Sequence, residues 1–259
     1  MDLRRLLALS LLLAGPSAAS AGFPGEVLHS TGRVISSPAR ISKADLPAIG
    51  AVAAGGLVLY SLDGQIRHVF HRSRSRLNDD IAEQAEKLGN GGYDAAIVAA
   101  YGGVGLLLKD ARMQDTALLA AESFLAANAA GTLIKYAAGR ARPYAEDGKR
   151  RFTPFRFKSA RTSFPSGHTV SAFSLASVFA ARSESRAVKV MVYSLASSVA
   201  LQRVYADKHW ASDVLAGAAI GTAVGRWVAA KKEKGGSSSV LLLPVYSQTY
   251  AGASAVFNF

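Results

Sequence analysis

The sequence predicts an all-α protein, a single helical bundle of about six core helices with a short C-terminal β-hairpin or extended tail. Apolar residues make up 50% of the 259 residues, and the sequence is rich in Ala, Leu, Val and Gly, a mix that suits closely packed helices. Six apolar segments alternate with polar connections. The chain has no cysteine, which excludes disulfides, thiolate nucleophiles and thiolate metal sites.

The six apolar segments are rich in helix formers or small residues, and each is a predicted core helix. They lie at residues 46–62, 93–108, 116–138, 169–181, 187–201 and 214–230. A further amphipathic helix is predicted at 77–88, because Asn-Asp-Asp at 78–80 can start a helix and Gly-Asn-Gly-Gly at 89–92 can stop it. Residues 22–43 are polar without a sustained period, which predicts an extended arm or loop.

The two ends of the chain differ from the bundle. Arg4 and Arg5 precede a short apolar run, and Ala-Ser-Ala at 19–21 fits a small-residue cleavage site. We therefore expect a signal peptide at 1–21, a folded domain at 22–236 and a tail at 237–259, in which two edge strands are predicted. The expected location is periplasmic or otherwise extracytoplasmic.

The apolar segments also raise the question of a membrane. Most are about 14 to 18 residues long, below the roughly 20 that a spanning helix needs, and the third contains Glu122. With an exported N-terminus, six crossings would place the motif-bearing end of the bundle in the cytoplasm. An exported globular bundle is the first expectation. An integral membrane protein is the alternative, because tilt or thinning accommodates short helices.

The net charge of +12 predicts an anionic partner, such as a phosphate ester or an acidic membrane surface. Much of this charge lies in the loop at 139–163, which either is a solvated face, steers anionic substrates or docks on acidic headgroups. Nucleic acid is not expected, because no base-reading module is present and export is predicted. The oligomeric state is not predicted.

Three stretches in order along the chain carry the basic and histidine residues that suit an anion site. They are Lys135-x6-Arg142-Pro143, Pro165-Ser166-Gly167-His168 and Arg203-x5-His209-x3-Asp213. The main-chain N–H groups of Gly167 and His168 are expected at a helix N-terminus, where unpaired donors and the helix dipole favour negative charge. His209 and Asp213 are four residues apart, a spacing that places them one helical turn apart on the same face of a helix.

This set of motifs resembles the type 2 phosphatidic acid phosphatase (PAP2) superfamily, which includes bacterial class A acid phosphatases, lipid phosphate phosphatases and vanadium haloperoxidases. The motifs cover Lys135 to Asp213, about the central third of the chain, and the six-segment bundle extends the resemblance to most of the domain. One position departs from the family, because Gln202 stands where a Ser is usual before the arginine. The resemblance implies a PAP2-like bundle and a phosphoric ester hydrolase.

The residue types agree with phosphoryl transfer, in which negative charge spreads over three equatorial oxygens and needs donors around it. Lys135, Arg142 and Arg203 are the expected phosphate-binding cations, and Ser166 and the Gly167 N–H are expected to complete the cradle. No cluster of carboxylates is ready for two metal ions. We therefore expect a metal-independent reaction without a cofactor.

Each of the other three site residues has an expected catalytic role. His209 is the expected nucleophile, which forms a phosphohistidine that water later hydrolyses. Asp213 is expected to accept a hydrogen bond from the other ring nitrogen of His209 and so to set its tautomer. His168 is expected to be the general acid for the leaving alkoxide and the general base for water.

The leading hypothesis is a phosphatase of phosphate monoesters or diphosphates, with a lipid phosphate favoured because the chain is both basic and apolar. A vanadate-dependent haloperoxidase is an alternative, since vanadate occupies the same cradle as phosphate, although those enzymes are usually much larger. A non-enzymatic basic protein that binds anionic surfaces is the third hypothesis. It predicts that loss of His209 leaves function intact.

Overall fold

The computed structural model describes residues 23–36, 42–232, 239–247 and 250–258, so the predicted signal peptide lies outside the described residues. Within these ranges the chain forms eight α-helices and two strands. The helices are α1 Phe23–Ile35, α2 Leu46–Arg72, α3 Arg76–Lys87, α4 Gly91–Leu107, α5 Ala111–Ala138, α6 Gly167–Arg182, α7 Arg186–Tyr205 and α8 Ala211–Lys232. The strands β1 Ser239–Ser247 and β2 Tyr250–Asn258 pair in an antiparallel hairpin.

The predicted helical bundle is confirmed, with α2 and α4 to α8 at the six predicted segments and α3 as the amphipathic helix. Helix α2 runs to Arg72, ten residues beyond the predicted end at 62. Its last turns carry Arg67, which makes two hydrogen bonds of 2.7 Å to the carboxylate of Asp207 in the connection after α7. Tertiary contacts therefore extend this helix beyond the apolar segment.

The prediction of an extended arm or loop at 22–43 is wrong, because residues 23–35 form α1. Phe23 and Ser30 are buried, and Val27 and Val34 are partly buried, so these four residues form one face at helical spacing. The Ser30 hydroxyl on this face donates to Glu122 of α5. Pro24 and two glycines mask the period in the sequence, and packing on α5 stabilises the helix.

Helix α6 lies at the centre of the bundle and makes its closest contact with α8. Three glycines of α8 face the backbone of α6. A Cβ at Gly217 would lie 2.7 Å from the Ser166 carbonyl oxygen, and one at Gly221 would lie 2.5 Å from that of Val170. Because the glycines have no side chain, the two backbones approach closely. This contact fixes the start of α6 beside the start of α8.

The motif-bearing ends of the helices meet at one end of the bundle, as the alternation of segments predicts. The Lys135 amine at the end of α5 donates to the Pro165 carbonyl oxygen before α6, at 2.7 Å. The Ser166 N–H donates to the Asp213 carbonyl oxygen in α8, at 3.1 Å. We call this the site end. At the opposite end, Arg112 of α5 donates to the Arg182 carbonyl oxygen of α6 at 2.8 Å.

Helices α2 and α5 are long and apolar enough to cross a membrane, each with a mean hydropathy of 1.5 in its most apolar window. The two helices differ in exposure. Only 6% of the most apolar 18-residue stretch is buried in α2, whereas 50% of the corresponding stretch is buried in α5. Helix α2 thus presents apolar side chains such as Leu57, Val58 and Val69 at the protein surface. A helix with this many exposed apolar side chains is typical of a surface that contacts lipid or another protein.

Candidate active site

All eight residues predicted for the site lie at the site end. The cations come from the end of α5, the loop that follows it and the end of α7. The remaining residues surround the starts of α6 and α8. The residues are Lys135, Arg142, Ser166, Gly167, His168, Arg203, His209 and Asp213.

Each of the three cations has a hydrogen-bond partner within the protein. The Lys135 amine donates to the carbonyl oxygens of Thr162 and Pro165, at 3.1 and 2.7 Å, which fastens the loop before α6 to the end of α5. Arg142 donates to the Thr162 hydroxyl at 3.3 Å. Arg203 pairs with Glu86 of α3, at 3.0 Å between Nη1 and Oε1. The Arg203 side chain is almost completely buried, whereas that of Glu86 is about half exposed.

Both arginines keep a donor that the protein does not use. The Nε atoms of Arg142 and Arg203 are buried and have no hydrogen-bond partner among the described residues. Buried polar groups are nearly always paired, so an unpaired donor in a native site needs an explanation such as a missing ligand. Two such donors beside a third cation suit a bound anion. Within the described residues, no group of three or more His, Asp or Glu side chains is placed to hold a metal ion.

His209 is buried between the loop before α6 and the start of α8. Its Nδ1 lies 2.6 Å from the Ser163 carbonyl oxygen, which can only accept a hydrogen bond. The neutral ring therefore carries its proton on Nδ1 and keeps a lone pair on Nε2. Burial, and then the charges of Lys135, Arg142 and Arg203, hold the pKa of His209 well below its ordinary value of 6.5.

The predicted hydrogen bond from His209 to Asp213 is wrong, since the acceptor is the Ser163 carbonyl. Asp213 Oδ2 instead accepts from the Ser163 hydroxyl at 2.5 Å and from the Trp210 N–H at 3.0 Å. An acidic side chain in the first turn of a helix is well placed to accept hydrogen bonds from the unpaired N–H groups there. Asp213 therefore accepts from a nearby main-chain N–H and not from the imidazole of His209. Ser163 thus links Asp213 to the His209 ring, since its hydroxyl donates to Asp213 and its carbonyl oxygen accepts from the ring.

A buried ion cluster lies behind Ser163. The guanidinium of Arg140 donates to Asp213 at 2.5 Å and to Asp63 of α2 at 2.8 Å, and all three side chains are almost completely inaccessible. Asp63 also accepts from the N–H and hydroxyl of Ser212, at 3.0 and 2.6 Å. The cluster therefore joins α2, the loop and the start of α8 directly behind the His209 ring.

His168 lies in the first turn of α6, against the connection between α3 and α4. A Cβ at Gly89 in that connection would lie 3.1 Å from the Cβ of His168. Burial, followed by the charge of Arg203, lowers the pKa of His168 to about 4. Arg142 and Lys135 act in the same direction, so both histidines lie within the field of the same three cations. Both rings are neutral at pH 7 when no anion is bound.

Ser166 is the N-cap residue of α6 and is fully buried. Its hydroxyl oxygen accepts a hydrogen bond of 2.9 Å from the Thr169 hydroxyl, which leaves the Ser166 hydroxyl hydrogen for another acceptor. At Gly167 an added Cβ would lie 3.9 Å from the Lys135 amine. The start of α6 and the lysine are therefore close enough to contact one small ligand.

Sequence reasoning missed four residues of the site, Asp63, Glu86, Arg140 and Ser163. One signal was present for Asp63, because it is the sole acid within the apolar helix α2. The other three belong to polar stretches, where nothing distinguishes a buried partner from a solvated one. Their roles depend on contacts between residues that are 50 or more positions apart.

Comparisons with known proteins agree with the motifs. Residues 116–235 match the family model described as "PAP2 superfamily". A segment of 93 residues is 42% identical to the lipid A 1-phosphatase of Porphyromonas gingivalis. The aligned segment covers 35% of this chain and 18% of that protein's length. The chain thus spans less than a fifth of this curated relative.

Two crystal structures align with this chain. The transmembrane PAP2 type phosphatidylglycerolphosphate phosphatase from Bacillus subtilis aligns with a TM-score of 0.54 and 22% identity, over 71% of this chain and 95% of that one. LpxE from Aquifex aeolicus aligns with a TM-score of 0.48 and 21% identity, over 63% of this chain and 92% of that one. The first of these similarities shows that the two chains share a fold.

Proposed function

We propose that the protein is a PAP2-type phosphatase that hydrolyses lipid phosphates, either monoesters or diphosphates, since residues 116–235 match the PAP2 superfamily model. The observation that carries this proposal is the pair of buried, unpaired Nε donors of Arg142 and Arg203 in the site of the neutral His209. Two of the similar proteins, the lipid A 1-phosphatase and the phosphatidylglycerolphosphate phosphatase, are named as phosphatases of lipids, which supports a lipid phosphate as the substrate.

The phosphate group is held by fixed cations and oriented donors. The two free Nε donors and the Lys135 amine surround its oxygens, while the Ser166 hydroxyl and the Gly167 N–H contact it from the start of α6. These donors take the part that metal ions play in other phosphatases, so the reaction needs none. The charge that develops in the transition state is stabilised by groups that are already in place.

His209 then performs the first displacement. Its Nε2 lone pair forms the N–P bond while the bond between phosphorus and the ester oxygen breaks. The Ser163 carbonyl accepts the Nδ1–H throughout and stabilises the positive charge that the ring acquires. His168 gives a proton to the departing oxygen, so that the alcohol leaves neutral. In the second displacement His168 takes a proton from water, whose oxygen attacks phosphorus and releases His209.

The low pKa of His168 determines where this proton comes from. The free site holds the ring neutral, since its pKa is about 4. A bound phosphate places negative charge among Arg203, Arg142 and Lys135, the same cations that disfavour protonation, and so raises the proton affinity of the ring. The substrate monoanion also carries one proton itself. Binding therefore supplies both the proton and the field that keeps it on His168.

The protein is associated with a membrane through the exposed apolar face of α2, which supports the membrane alternative over a freely soluble globular bundle. The predicted signal peptide at 1–21 supports an extracytoplasmic site. Lipid substrates and a lipid-exposed helix fit together, because a phosphatase held at a bilayer meets substrates that do not leave it.

The proposed function is tested with a panel of substrates and the purified full chain in a chelator such as EDTA. The panel contains a soluble aryl phosphate, phosphatidate, a prenyl diphosphate and lipid A. We expect phosphate release without added metal, kcat/KM at least about tenfold higher for a lipid phosphate than for the soluble ester, and inhibition by vanadate. The proposal fails if no substrate is hydrolysed, or if hydrolysis requires added Mg²⁺ or Zn²⁺.

The rate should depend on pH in a way that reflects the two depressed histidine pKa values. Lowering the pH through 6.5 does not protonate His209, whose pKa lies well below that value. Above a pKa of about 4 the free site holds no proton on His168, so turnover depends on the substrate monoanion. With a soluble monoester whose second pKa is about 6, kcat/KM should be level between about pH 5 and 6 and fall about tenfold per unit above that range. A loss of rate on the acid side with a midpoint near 6.5 would contradict this assignment.

A further inference from the structure

The loop that carries Arg142 also presents a group of exposed aromatic and basic side chains. We call residues 150–158 the aromatic-basic loop. Phe155 is 71% exposed and Phe157 is 74% exposed, although phenylalanine is usually buried in folded proteins. The Phe157 ring packs at a tilt against that of Tyr136, with 4.7 Å between the ring centroids, and most of both phenylalanines remains exposed.

The exposure of these rings is built into the backbone. Thr153 N–H donates to the Gly139 carbonyl oxygen at 2.9 Å, and Phe155 N–H donates to that of Tyr136 at 2.8 Å. Gly139 has a positive φ of 59°, and a Cβ there would lie 1.9 Å from the Thr153 carbonyl oxygen. The loop is therefore fastened tightly to the end of α5, and it holds the rings outward.

Phe155 also has an unfavourable backbone conformation, with a φ of +57°. A bulky side chain in the left-handed region is an outlier that costs free energy, whereas Gly or Asn tolerates this region well. Phe155 is 71% exposed, so little of its side chain is buried within the protein to offset the cost. Strained residues that persist in this way concentrate at functional sites. A contact outside the protein would account for an aromatic residue at this position.

The charges of the loop indicate the chemistry of that contact. Four exposed cations flank the rings, Arg150, Arg151, Arg156 and Lys158. Among the described residues none of the four has an acidic partner, whereas the neighbouring Arg161 pairs with Asp147 at 2.8 Å. Unpaired cations beside exposed aromatic rings are typical of segments that lie in an anionic lipid interface.

We propose that the aromatic-basic loop docks on an anionic lipid surface, with Phe155 and Phe157 inserted below the headgroups and the four cations at headgroup level. The inference rests on the proposed function, since it concerns how the site meets lipid phosphates. The loop lies beside the site, because Tyr136 adjoins Lys135 and Thr162 follows the loop by four residues. Docking therefore brings the phosphate of a lipid to the cations of the site while its acyl chains stay in the bilayer.

The test compares lipid and soluble substrates in a Phe155→Asn variant of the full chain. Asn tolerates the positive φ, so we expect the Tm to be unchanged or higher. With phosphatidate in mixed micelles that contain phosphatidylglycerol, KM should rise about tenfold, while kcat/KM for a soluble aryl phosphate stays within about twofold. A Leu107→Asn variant is the matched control, because it removes an apolar side chain that is also exposed, at 85%, but lies at the opposite end of the bundle.

A second readout observes insertion directly. A Phe155→Trp variant is reconstituted into phosphatidylcholine bilayers with or without phosphatidylglycerol, both with brominated acyl chains that quench tryptophan fluorescence. We expect quenching of the added signal in the anionic bilayer, and reduced quenching when Arg150, Arg151, Arg156 and Lys158 are all replaced by Gln. The proposal is overturned if neither bilayer quenches the added fluorescence, or if Phe155→Asn leaves KM for phosphatidate unchanged. Either result would favour a protein partner for the loop. If the unaltered protein hydrolyses neither phosphatidate nor the soluble ester, the phosphatase itself is rejected instead.

Discussion

Replacing His209 with Gln should lower kcat by at least about 10⁴-fold, because the phosphoryl group then has no nucleophile to receive it. Binding should change much less, since the three cations and the start of α6 remain in place. We therefore expect Ki for vanadate to rise no more than about tenfold. The measurement is single-turnover hydrolysis of a labelled substrate, together with trapping of an acid-labile, base-stable phosphoenzyme that is absent from the variant.

The matched control for this substitution is His68→Gln, which makes the same chemical change at an exposed residue of α2. It should keep full activity and a full yield of phosphoenzyme. A His168→Gln variant separates the two displacements, because it should still form a phosphohistidine from a substrate with a good leaving group but hydrolyse it slowly. Near-normal turnover in the His209 variant would reject the nucleophile and favour a protein that acts through its charge alone.

Replacing Arg140 with Met should destabilise the protein by about 3–5 kcal/mol, because Asp63 and Asp213 are then left buried without their cation. For a chain of this size that corresponds to a Tm lower by about 10 °C. The same change should lower kcat more than it raises KM. Asp213 anchors the Ser163 hydroxyl, and the Ser163 carbonyl orients the His209 ring. Thermal unfolding and steady-state kinetics of the same preparation measure both effects.

Arg150→Met provides the control, with a soluble ester as the substrate for both variants. Arg150 lies in the same loop but is exposed, and its loss should change stability by less than about 0.5 kcal/mol. A Ser163→Ala variant then distinguishes positioning from stability. It removes the hydroxyl bond to Asp213 while keeping the carbonyl that accepts from His209, and should lower kcat with little change in Tm. If Arg140→Met is as stable and as active as Arg150→Met, the buried cluster neither stabilises the fold nor positions His209.

Much of the fold could be predicted because apolar segments of helical length leave few other structures open. The bundle and the sharing of one end by the three motifs follow from the number of segments between them. Helix α1 could not be predicted, since its stripe of Phe23, Val27, Ser30 and Val34 is short, contains a polar residue and is stable only against α5. The end of α2 was missed for a related reason, because contacts with Asp207 extend it.

The candidate site divides in the same way. The spacing of the motifs is enough to select the cations and histidines, because phosphoryl chemistry requires positive charge and an imidazole. Spacing does not say which partner a side chain prefers. Asp213 was predicted to accept from His209, and it accepts from Ser163, Trp210 and Arg140 instead. A local N–H, a hydroxyl and a buried guanidinium compete for the two carboxylate oxygens of Asp213. The spacing of residues along the chain does not predict which of these donors will bind.

The amino-acid sequence alone determined that this is a helical bundle with three phosphate-type motifs at one end and no cysteine chemistry. Apolar periodicity and charge are local properties that a sequence displays directly. Only the tertiary structure decided that Asp63 and Arg140 stand behind the nucleophile, that Glu86 pairs with Arg203, and that strained backbone holds Phe155 outward. These are outcomes of burial and competition among residues distant in the chain, because a side chain's partner is set by what the fold places within hydrogen-bond reach.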